Sequence, residues 1–253
     1  MLGAERRNII EKEIAERGSV LVAELAKKFD VTMETIRADL EKLEKQGILV
    51  RTYGGATIVD AESDIFTERD IINYEGKQRI GNAAAQLVRD GETVFLDAST
   101  SALHMARCLK NKKGLTVITN AEKIVTELAA IENINVICVG GTLNPKNMSF
   151  AGRVAEKSIR ENYYANKFFF SCRGVTAARG LVDSSEEEAE IKKAMLDMSE
   201  SAVFLCDRNK LGRLGVPVIS GLEQIDAVVT DVKLTEEWAD AFAHCGVRVI
   251  TAE

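Results

Sequence analysis

The sequence predicts an α/β protein in two parts: an N-terminal winged helix-turn-helix head, then a Rossmann-like, mainly parallel α/β domain. Two observations lead there. The stretch from Gly18 to Ala56, "GSVLVAELAKKFDVTMETIRADLEKLEKQGILVRTYGGA", reads as a short helix, a tight turn, a second helix and a β-hairpin ending in two glycines. From Glu75 onward, short apolar runs rich in β-branched residues alternate with helical patterns, the mark of buried parallel strands covered on both faces. A polar connector, "VDAESDIFTERDIINYEGKQ", lies between them and carries little periodic signal. The expected limits are a head over 1–58, a linker over 59–74 and a second domain over 75–253.

Bulk properties narrow the class. At 253 residues the chain can fill a core, and two domains fit the length. Its 46% hydrophobic and 28% charged content are ordinary for a globular protein. No apolar run approaches the ~20 residues that cross a bilayer, so no membrane role is expected. The N-terminus is charged throughout and lacks a secretory apolar core, so a cytoplasmic location is expected. Net charge is -6, and the segment up to Gly55 is close to balanced. Nucleic-acid binding must therefore rest on local placement of Arg and Lys, not on bulk charge. The five cysteines show no C-x-x-C spacing and read as reduced, mostly buried thiols, with no metal site or disulfide framework. With only His104 and His244 present, histidine-based chemistry is nearly excluded.

In the head, Ile9, Ile10 and Ile14 give the first helix an apolar stripe, and Gly18 ends it. Leu25, Ala26 and Phe29 do the same for the second helix. "FDVT" makes the turn, and Thr32 suits the N-cap of the third helix. Met33, Ile36, Leu40 and Leu43 fall at helical spacing and are expected to face the core. The opposite side carries Glu34, Thr35, Ala38, Glu41 and Lys42, with Arg37 and Asp39 on the flanks. That face is the one to enter a major groove. Arg37 can reach guanine or phosphate, and Thr32 and Thr35 can contact phosphate or a thymine methyl. Arg51 and Tyr53 sit on the hairpin beside Gly54 and Gly55, which permit a tight turn and close approach to a DNA backbone. The plainer reading is a small bundle with a solvated charged face, in which Arg37 and Asp39 make internal ion pairs.

In the second domain, "TVFLD", "LTVIT", "INVICVG", "KFFFSC", "AVFLCD", "DAVVTD" and "VRVIT" are the expected strands. After the first comes Asp97, then Ala98-Ser99-Thr100-Ser101 and a helix start, where backbone N–H groups and hydroxyls can hold an anion. Later strand ends offer Asn120, Gly140 and Gly141, Arg173, then Asp207, Lys210 and Arg213. Ligands of open α/β sheets sit at such carboxyl ends. Singly, each feature reads as a cap or a surface charge. Together they suit one anionic, hydroxyl-rich ligand such as a sugar phosphate.

The run "VAELAKKFDVTMETIRADLEKLEKQGILVRTYGGA" resembles the N-terminal signature of the DeoR family of bacterial transcription regulators. Thr32, Thr35, Ile36, Arg37, Asp39, Leu40, Leu43, Gly47, Arg51, Gly54, Gly55 and Ala56 fall on the family pattern. One departure is Ala38, where the family usually has a second arginine. The rest of the chain resembles the DeoR-type sensor domain, similar in fold to ribose-5-phosphate isomerase. The resemblance implies a phosphate held by the loop after the first sheet strand and a pocket lined by a late D-x-x-K segment. Asp97, Thr100, Asn120, Gly140, Gly141, Gly174 and Lys210 fall on matching positions, while Ser99 and Ser101 replace the usual glycine and threonine. "LDAS" with "FSCRG" looks closer to members governing 6-deoxyhexose use, such as fucose or rhamnose. The implied partners are a double-stranded DNA operator and a phosphorylated sugar, with no cofactor. Reading repeated half-sites calls for a homo-oligomer, a dimer or tetramer.

The competing readings are a sugar-phosphate isomerase with an accessory head and a scaffold with a dead ligand site. Isomerisation needs a carboxylate base at the substrate. "FFFSCRGV" places none where the isomerase has its carboxylates, and "SSEEEAEIKKAM", with Glu186 and Glu190, reads as an acidic helix start. The expectation is a binding site without catalysis.

Overall fold

The computed structural model describes residues 3–17, 19–45, 48–51, 54–58 and 65–253. They form two compact units, Met1–Glu75 and Gly76–Glu253.

In the first unit, α1 (Gly3–Arg17), α2 (Val22–Phe29) and α3 (Met33–Lys45) pack with three short strands, β1 (Ser19–Leu21), β2 (Leu49–Arg51) and β3 (Gly55–Ile58). The core is one apolar cluster of Ile10, Ile14, Val20, Val22, Leu25, Ala26, Ile36, Leu40, Leu43, Leu49 and Ala56. Helical spacing supplies most of these side chains, so the stripes of the three helices largely become burial, Ile9 staying only partly buried. Two differences from expectation stand out. The hairpin gains a third strand, because β1 pairs antiparallel with β3 in a sheet ordered β1-β3-β2. Met33 is 52% exposed instead of facing the core. It lies in the first turn of α3, where the packed neighbours run out. Gly18 and Tyr53 lie outside the described residues. The stretch read as connector holds a short helix, α4 (Phe66–Ile71).

The second unit begins within α5 (Tyr74–Ala85) and runs β4 (Thr93–Leu96), α6 (Thr100–Cys108), β5 (Leu115–Thr119), α7 (Glu122–Leu128), β6 (Ile134–Cys138), β7 (Thr142–Asn144), β8 (Ser149–Ala151), α8 (Arg153–Asn162) and β9 (Ala165–Phe170). It continues β10 (Gly174–Thr176), β11 (Gly180–Val182), α9 (Glu186–Asp197), β12 (Ser199–Cys206), β13 (Val218–Ser220), β14 (Ala227–Thr230), α10 (Glu236–His244) and β15 (Arg248–Thr251). Seven strands form one sheet, ordered β15-β14-β12-β9-β4-β5-β6. Every neighbouring pair in it is parallel. All seven are the apolar runs picked out above. Phe95, Phe168, Phe170 and Phe204 fill the core from one sheet face, with Phe168 and Phe170 stacked at 4.6 Å. Two small antiparallel sheets, β7-β8 and β10-β11-β13, were not expected. Three-residue strands are too short for an alternating pattern to register.

Strand order reverses beside β4. The chain moves outward through β5 and β6, then crosses to β9 on the other side of β4. The carboxyl ends of β4 and β9 therefore frame the switch point, where open α/β sheets leave a crevice.

Candidate functional site

The outer face of α3 is built from its cap upward. Thr32 Oγ1 accepts from the Thr35 N–H at 3.2 Å and lies 2.9 Å from Thr35 Oγ1, fixing the first turn. Glu34 and Arg37 are exposed and paired, Arg37 Nη1 donating to Glu34 Oε2 at 3.0 Å. Such a pair contributes little to stability in water, so it leaves Arg37 free to exchange partners. Asp39 is different. It is buried, accepting from Arg6 Nε at 2.5 Å and Arg7 Nη1 at 3.1 Å, so it fastens α3 to α1. Of the two residues weighed as internal ion pairs, Asp39 is the structural one.

On the hairpin, Arg51 is held by Glu44, through its Nε at 2.7 Å and its backbone N–H at 2.9 Å. Gly54 is exposed, with open space around its Cα. Gly55 needs no positive φ; a Cβ there would lie 2.0 Å from the Val20 carbonyl, so glycine is required by the β1–β3 pairing. The positive φ expected at Gly55 is absent, and the residue has a packing role in the β1–β3 pairing.

In the second unit, the loops carrying Asp97–Ser101, Asn120, Gly140–Gly141, Arg173–Gly174 and Lys210 all follow strands of one parallel sheet, so they share its carboxyl edge. Ser99 caps α6 by accepting from the Ala102 N–H at 3.1 Å. The N–H groups of Thr100 and Ser101 precede the first intrahelical bond and point out of the helix end. Asp97 is buried at the switch point. Its Oδ1 accepts from Ser99 Oγ at 2.6 Å and its Oδ2 from the Ser171 N–H at 3.4 Å, joining the ends of β4 and β9. Burial pushes its carboxyl up to about 6, with Lys192 and the Ser99 hydrogen bond opposing.

Lys192 is the residue that sequence reasoning missed. It projects from α9, nearly fully buried, with Nζ 2.7 Å from Asp183, 3.5 Å from Asp97 and 3.9 Å from Glu188. Burial works against its charge, but the surrounding carboxylates outweigh it and raise its pKa above the ordinary value. Glu188 also takes Asn147 Nδ2 at 3.1 Å and Ser149 Oγ at 2.5 Å, from the β7–β8 hairpin. A signal was present. Ala189, Ile191, Ala194 and Met195 mark the inward face of α9, and Glu188 and Lys192 share its phase. Glu186 and Glu190, weighed as isomerase acids, are exposed.

The remaining predicted residues divide by role. Asn120 is buried; its Nδ2 donates to the Phe150 carbonyl at 3.1 Å, while Oδ1 meets no partner. Gly140 has φ 74° with open space beyond it, as a ligand-facing glycine would. A Cβ on Gly141 would meet the Ala151 carbonyl at 2.7 Å, and one on Gly174 the Arg213 carbonyl at 2.2 Å. Backbone packing thus requires glycine at both positions. Arg173 is half-buried. Lys210 ends a short 3₁₀ turn capped by Asp207, whose carboxylate lies 4.0 Å from its Nζ. Burial, with Asp183, pushes the Cys172 thiol up to about 12, and burial, with Asp207, raises Cys206, so neither is a ready nucleophile.

A helix-turn-helix head followed by a parallel α/β sheet is the two-part build of a transcription regulator. Comparison with known proteins makes the class specific. Residues 6–62 match the DeoR-like helix-turn-helix domain and residues 72–232 the DeoR C terminal sensor domain. The chain belongs to the DeoR family of transcription regulators. It is 44% identical over 251 residues to the uncharacterized HTH-type transcriptional regulator YulB of Bacillus subtilis, covering 98% of this chain and 96% of YulB. It is 30% identical to the putative aga operon transcriptional repressor of Escherichia coli O157:H7, covering 98% of this chain and 93% of that one. The L-fucose operon activator of Haemophilus influenzae is also 30% identical, with 91% and 93% covered. These relatives are regulators, not enzymes. Among solved structures, ribose 5-phosphate isomerase A of Methanocaldococcus jannaschii superposes on 55% of each chain at 17% identity and a TM-score of 0.41. Among the described residues, no helix is long and apolar enough to cross a membrane.

Proposed function

We propose that this regulator binds an operator through the outer face of α3 and a phosphorylated sugar at the carboxyl ends of the sensor strands, and that the sugar sets its affinity for DNA. Head, linker and sensor are assigned to 1–58, 59–74 and 75–253. Thr32, Glu34, Thr35, Arg37, Arg51, Tyr53, Gly54 and Gly55 form the DNA side. Asp97, Ser99, Thr100, Ser101, Asn120, Gly140, Gly141, Arg173, Gly174 and Lys210 form the effector side. The observation that carries the reading is the gathering of the α6 start and Asn120 at the carboxyl edge of the sheet, where the first offers N–H groups to a phosphate and the unpartnered, buried Asn120 Oδ1 offers an acceptor to a hydroxyl. A phosphate alone would leave the Asn120 Oδ1 acceptor unmet; a sugar phosphate satisfies both kinds of group.

The regulated genes are those of sugar catabolism, and the sugar relieves repression. The names of the aga operon repressor and the L-fucose operon activator support the first point, and the former supports the sign. A 6-deoxyhexose derivative as effector is favoured by "LDAS" and "FSCRG" and by the fucose relative. The working form is a homo-oligomer, since one small head covers few base pairs.

The test is retention of the upstream DNA of the host's neighbouring sugar operon, at graded salt and with a panel of phosphorylated sugars. Binding that weakens steeply with salt and responds to one sugar supports the reading. Retention indifferent to salt and to every sugar phosphate, with no thermal shift from any of them, overturns it.

A further inference from the structure

Met33 is the one large apolar side chain on α3 that the head does not bury: it is 52% exposed, whereas Ile36, Leu40 and Leu43 are at 2% or less. It stands one turn before Arg37, and residues four apart on a helix are side-by-side neighbours. Ala38, a small apolar residue on the outer face, is too short to reach far from the helix. The exposed surface at the start of α3 thus presents a flexible thioether beside a guanidinium, the latter held by Glu34 at 3.0 Å in the free protein.

Resting on the reading that α3 enters the major groove, we infer that Met33 is a specificity-determining residue that reads a thymine 5-methyl group next to the base pair contacted by Arg37. The chemistry is specific to thymine. Its methyl is the one apolar group that a base displays in the major groove, and an unbranched, polarizable side chain packs well against it. Arg37 supplies the hydrogen bonds to the neighbouring guanine, and Met33 supplies the apolar contact that hydrogen bonds cannot give.

The experiment begins by selecting operators from random duplexes with the full-length protein. Each thymine of the selected half-site is then replaced by deoxyuridine, which removes only the methyl. Wild-type protein is expected to lose about fourfold in affinity at one position, the worth of one buried methyl or methylene group. Met33→Ala should bind the thymine and deoxyuridine duplexes equally, and Met33→Leu should keep the difference. Because Met33 is exposed, unchanged thermal melting of the variants checks that the head still folds. Wild-type indifference to deoxyuridine at every position, or undiminished sensitivity in Met33→Ala, overturns the inference while leaving DNA binding intact. Failure to enrich any sequence overturns the DNA-binding reading itself, and this inference with it.

Discussion

Lys192 and Asp183 form the tightest contact of the buried charge cluster, Nζ to Oδ2 at 2.7 Å, and Asp97 stands on the other side of the same ammonium at 3.5 Å. One lysine on α9 thereby ties the loop that starts α6 to the loop that follows β11. Asp183 is itself clamped by backbone bonds, accepting from the Val216 N–H at 3.2 Å and donating to the Pro217 carbonyl at 2.9 Å. The segment after Lys210 is thus fastened to the floor of the proposed effector crevice.

Replacing Lys192 with Met leaves Asp97, Asp183 and Glu188 without their cation. Breaking a buried ion pair from one side costs about 3–5 kcal/mol. Urea unfolding of Lys192→Met should show a loss of that size near pH 7. The deficit should shrink as the pH falls and the carboxyls take up protons. A loss below about 1 kcal/mol would mean that the cluster is solvated.

Asp97 gives a pH signature with the opposite sign to a paired surface acid. Its folded carboxyl is raised from 3.8 to about 6, so the native state holds its proton more tightly than the unfolded chain. The protonated form's contribution is complete below about pH 4, falls as pH rises towards 6, and is flat above. Comparison with Asp97→Asn isolates it: wild-type stability should fall relative to the variant across that window, by up to about 3 kcal/mol. Parallel stability curves from pH 4 to 7 would contradict the shift.

The proposed sites are separable. Arg37→Ala should weaken operator binding by about tenfold or more, the worth of a good base contact, while ligand-induced thermal shifts persist. Lys210→Ala should do the reverse, holding DNA but no longer responding to the sugar phosphate. A normal response from Lys210→Ala would move the phosphate site away from the 3₁₀ turn.

Asp39 anchors the head. Asp39→Ala should destabilise it by about 3 kcal/mol, because two arginines lose a buried partner. Hydrogen exchange should show the loss in α1 and α3 and leave the sensor strands protected.

The seven sheet strands could be read from the sequence because each is buried on both faces and so appears as an unbroken apolar run. Met33 could not. Helical phase gives its direction but not where the packed neighbours stop. Lys192 was hidden for a related reason: in "SSEEEAEIKKAM" the charges look solvated until the apolar phase of Ala189, Ile191 and Met195 is used to find which of them turn inward. That the backbone itself needs glycine at 141 and 174 shows only in the positions of Ala151 and Arg213, which no local pattern supplies. The buried Asn120 acceptor likewise depends on knowing that Phe150 takes only its amide.

The grip of Arg6 and Arg7 on Asp39 also sets an angular register. α3 cannot roll about its own axis without tearing both contacts, so the compass bearing of its reading edge is fixed from α1. Adding one residue after Asp39 would swing everything beyond it by about 100°, whereas adding one before it would displace Arg37 instead. Length changes inside this helix are therefore far less tolerable than substitutions on its rim.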